Sequence, residues 1–281
     1  MQGAEIINSP VVERDALWTA SVGVAYNADI FQKRAYGPDS WRMPRFDFRV
    51  GLFRDSISTT IIRDDENGDS GDEIDLEDEL GASNRESVLQ LDAIYRIGNY
   101  HRLEVGYFDL TRKSSVTSQS ALSFGSGTFP GGTELKIRSD LHVVRLAYAY
   151  SIMNDAQKEL GFMAGLHLSR FETEISATDS GQQQLTSVST PLPVAGLHGA
   201  VAIGSKMRLA AEVQIFRMQF NNYEGSMNYV SLTLQRRLGQ NSSAGIGFNY
   251  FGLKLDSDLT SIGGSLNVMH RGPYLFLGMN F

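Results

Sequence analysis

Ten stretches of this chain place apolar residues at every second position, and that pattern limits the possible folds more tightly than any other feature. They run roughly over 45–62, 85–97, 101–112, 137–152, 159–173, 192–204, 207–221, 226–238, 243–256 and 262–281. In the second, Leu89, Leu91, Ala93, Tyr95 and Ile97 alternate with Gln90, Asp92, Ile94 and Arg96. Successive side chains of a strand point to opposite faces, so one face of this strand is greasy and the other largely polar. The same holds for Leu103, Val105 and Tyr107 against Arg102 and Glu104, and for Val144, Leu146, Tyr148 and Tyr150 against Arg145. It holds again for Leu209, Ala211, Val213 and Ile215 against Glu212 and Gln214, and for Val230, Leu232 and Leu234 against Ser231, Thr233 and Gln235. Most stretches exceed the ~9–11 residues a tilted strand needs to cross a bilayer. No run of about 18 apolar residues is present to cross as a helix.

The closing stretch alternates at Leu275, Leu277, Met279 and Phe281 up to the last residue. A bare strand edge recruits other chains, and closing a barrel removes the edge. A soluble sandwich or small soluble barrel would bury the other face, where Asp92, Arg96, Glu104, Arg145 and Glu212 would lie unpaired in an apolar core. The expected fold is therefore all-β, a transmembrane antiparallel up-and-down β-barrel. Short connections at 98–100, 154–158, 204–206 and 239–242 alternate with long ones at 63–84, 113–136 and 174–191 and then with shorter ones at 222–225 and 257–261, as inner turns and outer loops do in such barrels. With ten strands every short turn falls beside both termini, which favours ten. A twelve-stranded alternative arises because Trp18, Ala20, Val22, Val24 and Tyr26 also alternate, with a further strand required in 113–136. Residues 1–44 are otherwise read as a periplasmic or lumenal segment and 45–281 as the barrel.

The terminal aromatic pattern, with Tyr274, Leu277, Met279 and Phe281, resembles the C-terminal signature by which bacterial outer-membrane barrels are read by the barrel-assembly machinery. From Arg45 onward the chain also resembles an uncharacterised family of proteobacterial outer-membrane β-barrel proteins. The stretches that carry the likeness are 45–53 (RFDFRVGLF), 73–81 (EIDLEDELG), 101–110 (HRLEVGYFDL), 191–194 (PLPV) and 272–277 (GPYLFL). The resemblance implies a fold and a bacterial outer-membrane location, with lipid and lipopolysaccharide as surroundings, and brings no activity with it. The start, Met1-Gln2-Gly3-Ala4-Glu5, lacks a basic, apolar leader and is read as a mature form.

The absence of cysteine excludes thiol catalysis and thiolate metal sites. Asp64 to Glu79 holds ten acids in sixteen positions and no base; without it the chain has 22 acids against 25 bases, so the net charge of −7 is owed to one outer loop. Asp64, Asp65, Asp69, Asp72 and Asp75 could gather Ca²⁺ or Mg²⁺, but their spacing is not that of an EF-hand. The expectation is a solvated polyanion with weak cation binding and no resident cofactor, part of it folded onto the rim by Ile74, Leu76 and Leu80. Inward parity assigns Asp47, Arg49, Asp92, Arg96, Glu104, Arg145, Glu212 and Arg237 to a lumen charge network. His167 and His198, also inward, either join that network or work as a metal pair or an acid and base with Glu212 or Ser169. His142 is read as outward, His101 as a turn residue and His270 as lying above the final strand. No G-x-S-x-G motif, phosphate loop or basic nucleic-acid patch is present. The Gly-rich 123–132 reads as a mobile outer loop. The expected function is a non-enzymatic, monomeric structural or interaction barrel or a narrow solute channel, the alternative being an outer-membrane enzyme acting on lipid or lipopolysaccharide.

Overall fold

A computed structural model describes residues 44–64, 71–220, 223–257 and 263–281. The elements in chain order are β1 (Phe46–Arg63), β2 (Glu73–Asp75), β3 (Arg85–Ile97), β4 (His101–Thr117), β5 (Leu122–Phe124), β6 (Gly127–Phe129), β7 (Glu134–Asn154), β8 (Lys158–Ala177), β9 (Gln183–Ile203), β10 (Met207–Phe220), β11 (Tyr223–Arg237), β12 (Ser242–Ser257) and β13 (Gly264–Asn280). Ten of them form one antiparallel barrel in the order β1, β3, β4, β7, β8, β9, β10, β11, β12, β13, closed by pairing β13 with β1. Closure is secured at the seam by Phe46 and Phe281, whose backbone amides donate to each other's carbonyls at 3.0 and 2.9 Å. Because β1 is paired on both sides, by β13 and β3, no edge remains for an extra strand, which sets aside the twelve-stranded alternative. Residues 113–136 contribute ends of β4 and β7 and the separate β5–β6 hairpin, not a wall strand. The alternating residues 18–26, with all of 1–43, lie outside the described residues.

The short turns do fall at the end that carries Phe46, the start of the first strand, and Phe281. Gly98 (φ 68°) and Gly204 (φ 64°) take the left-handed conformation that two of these tight reversals demand. The outward face there is an apolar band, with Leu52, Leu197, Phe248, Leu275 and Leu277 exposed, and Tyr95, Tyr100, Tyr148 and Tyr150 girdle its rim. The strands run well past that band. A 21-residue strand such as β7 measures about 70 Å, roughly 50 Å in height at 45° tilt, against an apolar belt about 25 Å tall.

Where the strands leave the belt, the apolar phase of the sequence flips. On β1 the outward Val50 and Leu52 give way to inward Phe53, Ile57 and Ile61; on β12 outward Ile246 and Phe248 give way to inward Phe251, Leu253 and Leu255. Strands β4, β7, β8 and β13 make the same change, with Leu110, Leu141, Phe171 and Val268 turned in. The barrel interior is therefore two-tiered, polar toward the short turns and apolar toward the long loops. The wall is also uneven: β9 pairs with β10 only from Ala195↔Ile215 to Ile203↔Met207. Just above lie Pro193 and Pro191, which have no N–H to offer a ladder.

The outer loops close the apolar tier. Ile74, Leu76 and Leu80 are fully or almost fully buried, each such side chain contributing about 1.5–3 kcal/mol relative to exposure. The β5–β6 hairpin inserts Phe124 and Phe129, both with no exposed area. The segment 123–132, expected as a mobile loop, is thus part of an ordered cap. Gly125 (φ 59°) makes the hairpin turn, and Phe124 and Phe129, which pin it, lie within the Gly-rich run.

Candidate functional site

The centre of the polar tier is Glu159, on the second residue of β8 and pointing inward with no exposed side-chain area. It accepts two parallel bonds from Arg96 of β3 (2.8 and 3.0 Å), one from Arg208 of β10 (2.7 Å), one from Ser151 (2.8 Å) and a longer one from Arg102 of β4 (3.4 Å). A carboxylate gripped by a guanidinium fork and three further donors has its lone pairs largely filled. His198 Nδ1 lies 4.0 Å from the same carboxylate. Around this hub, Arg102 also pairs with Glu104, Arg49 with Asp47 (2.8 Å), and Arg145 with Asp92. Asp92 further accepts from Gln90 (2.8 Å) and Tyr274 (3.1 Å), and Arg145 lies over the Tyr229 ring at 4.5 Å. Glu212 accepts from Gln214 (2.5 Å), whose carbonyl meets His167 Nε2 at 2.7 Å.

The tier balances: Arg49, Arg96, Arg102, Arg145 and Arg208 face Asp47, Asp92, Glu104, Glu159 and Glu212. Arg237 sits half-buried at the lower rim. Two small voids of about 60 Å³ each remain between these side chains. Sequence reading missed Glu159, Arg102 and Arg208 as members of this network. Glu159 and Arg208 lie one residue from a turn, where alternation is too short to assign a face. Arg102 had inward parity, and its partners became visible only once the strands were in register.

At the boundary of the tiers Asp55 of β1 meets His270 of β13, both almost completely buried, through His270 Nδ1. His270 therefore belongs inside the last strand, not above it; its even number gives it the parity of Tyr274 and Phe276, both inward. Its Nε2 has no hydrogen-bond partner among the described residues and looks into Phe108 and Phe251. His167 is stacked with Phe251 as well, at 6.5 Å between ring centroids. An acid-oriented imidazole is half of a nucleophile-activating set, yet this one is buried beneath the apolar cap with no hydroxyl bonded to it among the described residues. His142 is outward beside Asp109 (3.2 Å), and His101 opens β4 with Tyr148 (2.5 Å).

The acidic segment divides. Asp65 and Asp69 lie outside the described residues. Asp75 caps the amides of Glu77 (2.9 Å) and Asp78 (2.8 Å), and Asp72 accepts from the Ser123 amide (2.7 Å), tying the loop to the β5–β6 hairpin. Glu77 reaches into the barrel mouth to the Thr59 amide (2.7 Å) and Arg112, which also donates to Thr59 Oγ1 (2.9 Å). Among the described residues no group of three metal-ligating side chains converges. Of the terminal signature, Leu277, Met279 and Phe281 face outward while Tyr274 faces the lumen.

These features place the chain in the architecture of bacterial outer-membrane β-barrels. The outer-membrane protease OmpT of Escherichia coli aligns with 84% of this chain and 96% of its own, at 11% identity and a TM-score of 0.52. Ail of Yersinia pestis (85% and 100% covered, 12% identity, TM-score 0.37) and OprG of Pseudomonas aeruginosa (86% and 98%, 12%, 0.31) also align. At these identities the likeness is one of fold alone. No protein-family model matches the chain. No curated protein matches it either.

Proposed function

We propose that this protein is a non-conducting barrel of the bacterial outer membrane, with the short turns in the periplasm and the capped, elongated strands projecting from the cell surface. Its role on this reading is structural or adhesive, carried by a rigid external surface rather than by transport. The observation behind it is the filled interior. Five arginines, of which Arg96, Arg102 and Arg208 are buried and Arg49 and Arg145 mostly so, are matched by five carboxylates in the lower tier, and a cap of Ile74, Leu76, Phe124 and Phe129 lies above. A pore needs a continuous wet path, and the two voids between the lower-tier side chains hold about 60 Å³ each, room for a few waters only. The outward apolar band and the outer-membrane proteins of like fold support the location.

Planar-bilayer recording tests the reading. Reconstituted protein should give no resolved current steps, and Arg145→Ala should not create them by itself, because the apolar cap remains. Steps in the wild type that change with Arg145→Ala would refute a plugged barrel. For the enzymatic alternative the structure offers the pair Asp55 and His270, and both are buried beneath the cap among the described residues. Unchanged lipid A and phospholipid profiles on overexpression are the expected outcome.

A further inference from the structure

The outward face of three adjacent strands carries a cationic cluster that neither the lumen network nor the cap uses. Ser56 of β1 pairs with Arg85 of β3 on one side and Arg271 of β13 on the other, and Arg54 lies two residues below Ser56 on the same face. Adjacent strands are about 4.8 Å apart, so Arg85 and Arg271 stand roughly 10 Å apart with Arg54 just beneath. All three are exposed. None forms an ion pair among the described residues; Arg54 donates to Ser87 at 3.0 Å.

Several other outward cations at this height are neutralised two residues along their own strand, although Lys113, Lys136 and Arg217 are likewise exposed and form no ion pair among the described residues. Arg138 pairs with Asp140 (2.7 Å), Arg170 with Glu172 (2.6 Å) and Lys254 with Asp256 (3.2 Å). On β1, β3 and β13 the outward positions above the apolar band are instead Ser56, Ser58, Thr60, Ser87, Asn267 and their like, with no acid. Directly below, starting two to four residues under the arginines, a groove of about 590 Å³ opens in the outer wall, lined by Val50, Leu52, Leu89, Leu234, Ile246 and Leu277. Ala244, between Arg236 and Leu277, leaves it deep.

An anion here must therefore be amphiphilic, with negative groups at the arginines and apolar chains beneath. Three cations over 10 Å exceed what one phosphate can engage. We propose that this face seats a lipid of the outer leaflet that bears two phosphates and several acyl chains, the chemistry of the lipid A end of lipopolysaccharide. The proposal rests on the outer-membrane orientation given above. Arginine suits it because its planar fork binds phosphate oxygens bidentately.

The test is native mass spectrometry of the detergent-solubilised full chain, titrated at fixed salt with bisphosphorylated lipid A, monophosphorylated lipid A and phosphatidylglycerol. Expected is saturable binding in that order, the first at least tenfold tighter than the last. The triple variant Arg54→Gln, Arg85→Gln, Arg271→Gln should lose tenfold or more for bisphosphorylated lipid A, whereas Arg170→Gln keeps wild-type affinity. Equal affinity for the three lipids, or an unaffected triple variant, would overturn the site. Should the triple variant not form a heat-modifiable barrel, the lipid series on wild type decides alone. A protein that fractionates with the outer membrane yet lacks lipid preference defeats this site only, while one that does not enter that membrane defeats the location as well.

Discussion

Replacing Glu159 with Gln keeps the shape of the side chain and removes its charge, which makes it a direct test of whether the lower tier is dry. In the wild type one carboxylate receives four bonds from three arginines and one from Ser151. Glutamine offers a single acceptor oxygen and turns its NH₂ toward a guanidinium, leaving five arginines against four acids. Breaking a buried ion pair by removing one partner costs about 3–5 kcal/mol, and bonds to charged groups about 1.5–3 kcal/mol each. Some relaxation toward Glu104 and Glu212 offsets part of this, so a loss of about 3–5 kcal/mol is expected. Reversible guanidinium unfolding in lipid vesicles measures it as a fall in midpoint at unchanged slope. Adding Arg208→Gln restores the charge balance and should recover a measurable part of the loss, a non-additivity that isolates the contact. A cost below about 1 kcal/mol is what a water-filled lumen gives, because exposed pairs are worth that little. That result would refute the packed interior and with it the non-conducting barrel.

Glu77→Ala should leave Arg112 and the Thr59 amide without their acceptor at the barrel mouth and release residues 71–84. Limited proteolysis of intact cells should then cut this loop at least several-fold faster, with the barrel still heat-modifiable. Gly272→Ala would set a Cβ 1.9 Å from the Arg54 carbonyl oxygen across the closing seam, a backbone clash that cannot be relieved by a rotamer. Loss of the compact electrophoretic form is expected, and a normal barrel in that variant would contradict the β1–β13 register. Calcium should bind the acidic segment weakly and lose affinity as salt rises, since exposed carboxylates are screened over about 8 Å at physiological ionic strength. Salt-resistant, saturable binding abolished by Asn at Asp69, Asp72 and Asp75 would instead establish a specific site.

Side-chain parity is a local property, and the sequence by itself determined the parts of this protein that depend on it. A period of two says which face each of Leu89, Asp92, Arg145 and Leu277 takes, whatever the neighbouring strands are. Turn lengths that alternate about a closed ring favoured ten strands over twelve, and the pairing of β1 with β13 and β3 decided between them. Even the two-tiered interior is written locally, as a phase flip such as Leu52 to Phe53 or Phe248 to Phe251, though single-face patterning across whole strands concealed it. What only the tertiary structure decided is which inward residues meet. Asp55 and His270 are 215 positions apart and touch because the first strand closes on the last. Glu159 collects Arg96, Arg102 and Arg208 from three other strands, a meeting set by barrel circumference and register. The acidic loop followed the same division: its charge was legible, but the docking of Glu77 on Arg112 required the mouth that receives it, because a buried carboxylate is stable only where a distant part of the chain supplies its partner.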